Sequence, residues 1–122
     1  MTESFVEQPK TLAELRAGIT AGTTKATELA ASYYERIAQV NPRLNVYLSL
    51  TKERALAQAA KVDALAAKGD ALPPLAGVPV GIKDVLVMRG APATAGSKIL
   101  EGYRPPYDAT AAARLDAARP LS

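Results

Sequence analysis

Apolar and polar positions along the chain repeat with two different periods. Ala26, Leu29, Ala30, Tyr33, Ile37 and Val40 fall on one continuous face at the helical period. That face predicts a helix capped by Thr24 or Thr27, with Tyr33 in the core. It is expected to end at Asn41-Pro42, since a residue before proline disfavours helical geometry. Upstream, Thr11 and Glu14 form a T-x-x-E capping box ahead of a short helix that stops near Gly18 or Gly22. Downstream, Ala55, Ala59, Val62 and Ala66 mark a third helix, with Lys68 and Gly69 suited to its C-terminus.

Two segments read differently. "LNVYLSL" (residues 44–50) alternates and is expected to be a short strand, and so is "GVPVGIKDVLV" (residues 77–87). In extended form the second places Val78, Val80 and Ile82 on one face and Pro79, Gly81 and Lys83 on the other. Lys83 then projects beside a residue without a side chain. The connector "KGDALPPLAG" separates this stretch from the helices, its Pro-Pro pair breaking regular structure. Asp108 is expected to cap a last helix whose inner face is Ala111, Leu115 and Ala118. A short helix is also expected from Ser97 to Leu100.

Composition removes several chemistries. The 122 residues contain no Cys and no His, which leaves no thiolate or imidazole for metal binding or base catalysis. A Ser-His-Asp triad is impossible, and a general base has to be Lys, Asp, Glu or Tyr. The net charge of +3 comes from basic and acidic residues spread along the chain, which fits a solvated mixed surface rather than a nucleic-acid groove. Hydrophobic residues make up 48%, but alanine supplies much of that, with one Phe and no Trp, so the core is expected to be thin. The N-terminus lacks the apolar centre of a signal peptide, and no apolar run approaches the about 20 residues that span a bilayer. A cytoplasmic protein is the expectation.

Lys83-Asp84, set in an apolar run, admits two readings. One is a charge pair at the surface end of a strand. The other is a lysine desolvated by its neighbours, whose neutral form serves as a base. The loop "GAPATAGSKIL" also admits two. It does not fit a phosphate-binding loop, because Ser97 and Lys98 stand in the reverse order to the Lys-Ser/Thr that such a loop needs. It either supplies backbone N–H donors to an oxyanion or is a tight turn.

"GVPVGIKD" followed by "TAGSKILEGYRPPYDAT" resembles the amidase signature family, and within it the glutamine-hydrolysing branch that serves the aspartyl/glutamyl-tRNA amidotransferases. "TELAASYYERIAQVNPRLNVYLSLT" is similar to the family's N-terminal helical region. The resemblance covers residues 8 to 117. It implies an α/β fold in which N-terminal helices (residues 1–70) precede the first strands of a mixed sheet, with 71–122 as the incomplete start of that core. It implies that Lys83 is the catalytic lysine of a Ser-cisSer-Lys triad that hydrolyses glutamine. It also implies the amidotransferase subunits B and C as partners, and aminoacyl-tRNA bound through the complex. ATP and Mg are then used by a partner, with no cofactor in this chain. The family's two serines lie further downstream, and Ser97 matches neither, so the chain is expected to be truncated and inactive alone. A generic amidase fragment and a non-catalytic interaction module remain as alternatives.

Overall fold

A computed structural model of the chain describes residues 10–118. Four α-helices are present in order among these residues: α1 (Leu12–Ala21), α2 (Ala26–Leu44), α3 (Lys52–Ala67) and α4 (Thr110–Ala117), with a short 3₁₀ turn at Lys98–Leu100. Between α3 and α4 the chain runs largely in turns and extended loops.

Helix α1 starts as its capping box dictates. The Thr11 hydroxyl accepts from Glu14 N–H at 3.2 Å, and Thr11 N–H donates to the Glu14 carboxylate at 2.7 Å. It stops at Gly22, whose φ of 77° closes the helix in a left-handed cap. Leu15 and Ile19, one turn apart, form its buried face.

Helix α2 departs from expectation at both ends. Neither threonine caps it through its own side chain. The cap position is Lys25, and the first amides are taken by Asp63 from α3. The helix also passes through Pro42 and ends at Leu44. Proline in the last turn removes one hydrogen bond, which the end of α2 tolerates because its closing bond is made elsewhere. Asn45, at φ 50°, donates its N–H to Asn41 O at 2.7 Å. The Asn41 side chain then pairs with the backbone of Tyr47 twice: its Nδ2 donates to Tyr47 O at 3.0 Å, and its Oδ1 accepts Tyr47 N–H at 2.9 Å.

The core is small and alanine-rich. Ile19, Ala26, Ala30, Ala55, Ala59, Val62 and Ala76 are buried together, with Leu29, Tyr34, Leu56 and Leu72 packed around them. Small side chains let α2 and α3 approach closely, but each buries little apolar area, at roughly 25 cal/mol per Å². Tyr34, not Tyr33, packs on this core; Tyr33 is 40% exposed.

No β-strand forms among the described residues. The expected strands at residues 44–50 and 77–87 are irregular, with a single bridge residue at Pro79. A ladder needs a partner edge, and Pro79 has no N–H to offer one. Leu44, Val46, Leu48 and Leu50 are all exposed, so the alternation of this segment meets no sheet here.

Residues 87–109 instead fold back on themselves. Ala109 N–H donates to Val87 O at 2.8 Å, Gly90 N–H to Pro105 O at 3.0 Å, and Ala93 N–H to Tyr103 O at 3.3 Å. Asp108 belongs to this fold-back rather than to α4: it accepts from Arg89 N–H at 2.7 Å, and Ala109 takes the cap position. On α4 the buried residue is Ala112, while Ala111 is exposed, a rotation of the expected face by one position. Asp116 holds α4 to α3, accepting from Arg54 Nη2 and Gln58 Nε2, each at 3.2 Å.

Candidate functional site

A groove of about 460 Å³ opens between α2, the segment after it, and the 79–92 stretch. Tyr33, Tyr34 and Ile37 of α2 form one wall, and Tyr47 through Leu50 form the second. Lys83 and Asp84 line the third, with Pro79 to Ile82 before them.

Tyr47 is held in its wall by the Asn41 side chain, which sequence periodicity could not reveal. A Cβ placed on Gly81 would have Tyr47 Cε1 as its nearest neighbour, at 3.8 Å. A side chain there would meet the tyrosine ring in ordinary van der Waals contact, so the ring bounds the space beside Gly81.

Lys83 reaches the groove as an exposed residue. The apolar enclosure expected for it is absent among the described residues. Val85 is 54% exposed and Leu86 36%, because the run forms a turn instead of a buried strand. That turn is closed by Leu86 N–H donating to Lys83 O at 2.9 Å. Among the described residues Lys83 makes no salt bridge, so the surface charge-pair reading of Lys83-Asp84 is not realised in the geometry.

Asp84 has a different set of partners. Its Oδ1 accepts Thr94 N–H at 3.0 Å, and its Oδ2 accepts the Thr94 hydroxyl and, at 3.4 Å, Gly96 N–H. Its own carbonyl accepts Ala95 N–H at 3.4 Å. These donors hold its carboxyl below the usual aspartate value, the Thr94 hydroxyl first and Thr94 N–H next, against a smaller opposing effect of burial. A carboxylate can gather this many donors because both its oxygens only accept. The ten-residue separation from Thr94 gives no periodic signal in the sequence.

The same contacts decide the role of the "TAGS" loop. The N–H groups of Thr94, Ala95 and Gly96 are directed at Asp84, and Ser97 N–H donates to Thr94 O at 2.8 Å. They are not free to receive an oxyanion, and the tight-turn reading holds. Ser97 caps the 3₁₀ turn, its Oγ accepting Ile99 N–H at 3.3 Å.

Residues 28–120, which contain the whole lining of the groove, match the amidase family. The chain belongs to the amidase family. It is 50% identical over 108 residues to the A subunit of a glutamyl-tRNA(Gln) amidotransferase from Koribacter versatilis, covering 88% of this chain and 22% of that one. The corresponding protein from Thermobifida fusca is 50% identical over 103 residues, covering 84% and 21%. Among solved structures, the native peptide amidase of Stenotrophomonas maltophilia superimposes with a TM-score of 0.87 at 34% identity, over 96% of this chain and 24% of that one. The chain therefore spans about a fifth of the length of the curated relatives it matches. Among the described residues, no helix is long and apolar enough to cross a membrane.

Proposed function

We propose that this chain is the N-terminal portion of the glutamine-hydrolysing subunit of a tRNA-dependent amidotransferase, and that Lys83 is its catalytic base. The observation that carries this reading is the lysine of "GIKD" entering an open groove within the family-matched region. The higher identity to the amidotransferase proteins, 50% against 34% for the peptide amidase, favours the tRNA-dependent branch over a generic amidase.

In this reading the neutral Lys83 amine accepts a proton from a bridging serine, which in turn takes the proton of the nucleophilic serine. That oxygen attacks the glutamine amide carbon, the proton held by Lys83 returns through the bridging serine to the leaving nitrogen, ammonia departs, and water then releases glutamate from the acyl-enzyme. Both serines belong to a family segment that this chain does not match. Ammonia passes to the B subunit, which amidates misacylated tRNA with ATP and Mg, and the C subunit completes the complex. The cytoplasm is the proposed compartment. Further protein laid over the groove would supply the desolvation that favours a neutral amine.

The test is glutamine hydrolysis by a full-length enzyme carrying residues 10–118 of this chain, assembled with subunits B and C. Lys83→Ala should lower turnover by a factor of about 10² to 10⁴, the usual worth of a positioned base. Lys83→Arg should fail similarly, because guanidinium stays protonated. Wild-type turnover in Lys83→Arg would make Lys83 a structural cation and end the base assignment.

A further inference from the structure

Among the described residues, Lys83 has no side-chain partner to aim it. It is exposed, and a lysine side chain keeps several rotatable bonds. Its direction therefore depends on the turn from Lys83 to Leu86, and that turn is anchored at its second residue. Asp84 receives Thr94 N–H, the Thr94 hydroxyl and Gly96 N–H on its carboxylate and Ala95 N–H on its carbonyl. The loop so held is a demanding one. Ala95 and Gly96 both have positive φ, 48° and 73°, and alanine adopts that region only when its surroundings impose it. The Thr94 hydroxyl also accepts Gly96 N–H at 3.1 Å, which closes the arrangement.

We propose that Asp84 is the positioning residue of this site: by tying the Lys83–Leu86 turn to the Thr94–Gly96 loop, it sets the direction in which Lys83 enters the groove. The kinetic consequence rests on the reading of Lys83 as the base, whereas the tie itself does not. The carboxylate of Asp84 is taken up by the Thr94 and Gly96 donors. It acts through the turn, and a carboxylate suits the task because it accepts several hydrogen bonds at once, each strengthened by its charge.

Two measurements separate the tie from its consequence. In the 122-residue chain, Asp84→Asn should speed amide hydrogen exchange at Thr94 and Gly96, while Thr94→Ser, which keeps both donors, should leave it near wild type. In the full-length enzyme carrying this segment, Asp84→Asn should lower kcat for glutamine hydrolysis by about 10²-fold, the cost of a small misplacement of a catalytic group, with KM unchanged. Thr94→Ser should restore most of that turnover relative to Thr94→Val. Unchanged exchange in Asp84→Asn would overturn the tie. Turnover that falls with Lys83→Ala yet survives Asp84→Asn would overturn the positioning role alone. Turnover that survives Lys83→Ala would remove the base assignment, and the exchange result would still stand as the measure of the tie.

Discussion

Asp63, on α3, caps the first turn of α2 at Ala26: its Oδ1 accepts Ala26 N–H at 2.7 Å. Its Oδ2 accepts Thr27 N–H at 3.1 Å and the Thr27 hydroxyl at 2.7 Å. A helix leaves its first amides without internal partners, and here a neighbouring helix supplies the acceptor that a local cap usually provides. The carboxylate also lies at the positive end of the α2 dipole. One side chain thus sets where α2 begins and fixes α3 beside it.

Asp63→Ala should therefore destabilise the chain by about 1–2 kcal/mol, the upper part of the range for losing a cap. Thr27→Val, which removes only the hydroxyl donor, should cost less. Urea unfolding followed by circular dichroism measures both, and equal losses would show that the backbone amides are satisfied without Asp63.

Gly77 sits at φ 76° with its Cα against the core. A Cβ there would lie 2.5 Å from Ile19 Cδ1 and 3.2 Å from Ala26 Cβ. Gly77→Ala should cost backbone strain plus overpacking, roughly 2–4 kcal/mol together. Gly90→Ala, with the same φ and open space around it, should cost only the strain. The difference in denaturation midpoint between the two variants reads the packing contribution directly.

Asp84 gives the loop at Thr94 a pH dependence of known sign. Its carboxyl titrates below the ordinary aspartate value in the folded chain. The contribution of the ionised form is therefore present above the unfolded value and is lost as pH falls through the lower, folded one. Thr94 and Gly96 amide resonances should hold constant at neutral pH and shift together with a midpoint below 3.8. A midpoint above that value would contradict the hydrogen-bond arrangement.

On the proposed mechanism the 122-residue chain should release no ammonia from glutamine, because both serines are assigned there to a family segment that it does not match. Ammonia measured after incubation with glutamine, and abolished by Lys83→Ala, would contradict this. In the assembled full-length complex, amidation of misacylated tRNA with added ammonia should survive Lys83→Ala, since that step is proposed for the B subunit.

Leu44, Val46, Leu48 and Leu50 are 47–65% exposed, and Val85 and Leu86, just after Lys83, are exposed as well. So much uncovered apolar surface should make the isolated chain bind hydrophobic dyes and associate with rising concentration. Leu48→Ser should weaken both. A monomer with no dye binding at high concentration in sedimentation would disprove it.

The helices were legible because their causes are local. The Thr11–Glu14 box, the apolar spacing of α2 and α3, and glycine at positions 22 and 69 act within a few residues of themselves. The sequence also singled out Lys83, through the resemblance its surrounding run carries. It did not reveal how α2 begins, why Pro42 is passed, or what Asp84 and Asp108 hold. Three of these depend on a partner ten or more residues away in the chain: Asp63 for Ala26, Thr94 for Asp84, Arg89 for Asp108. The alternation at residues 44–50 and 77–87 is a statement about two faces, and it becomes a strand only when another backbone offers its N–H and C=O groups. Hydrogen bonds between distant segments are chosen by packing, and periodicity carries no information about which acceptor packing will bring near.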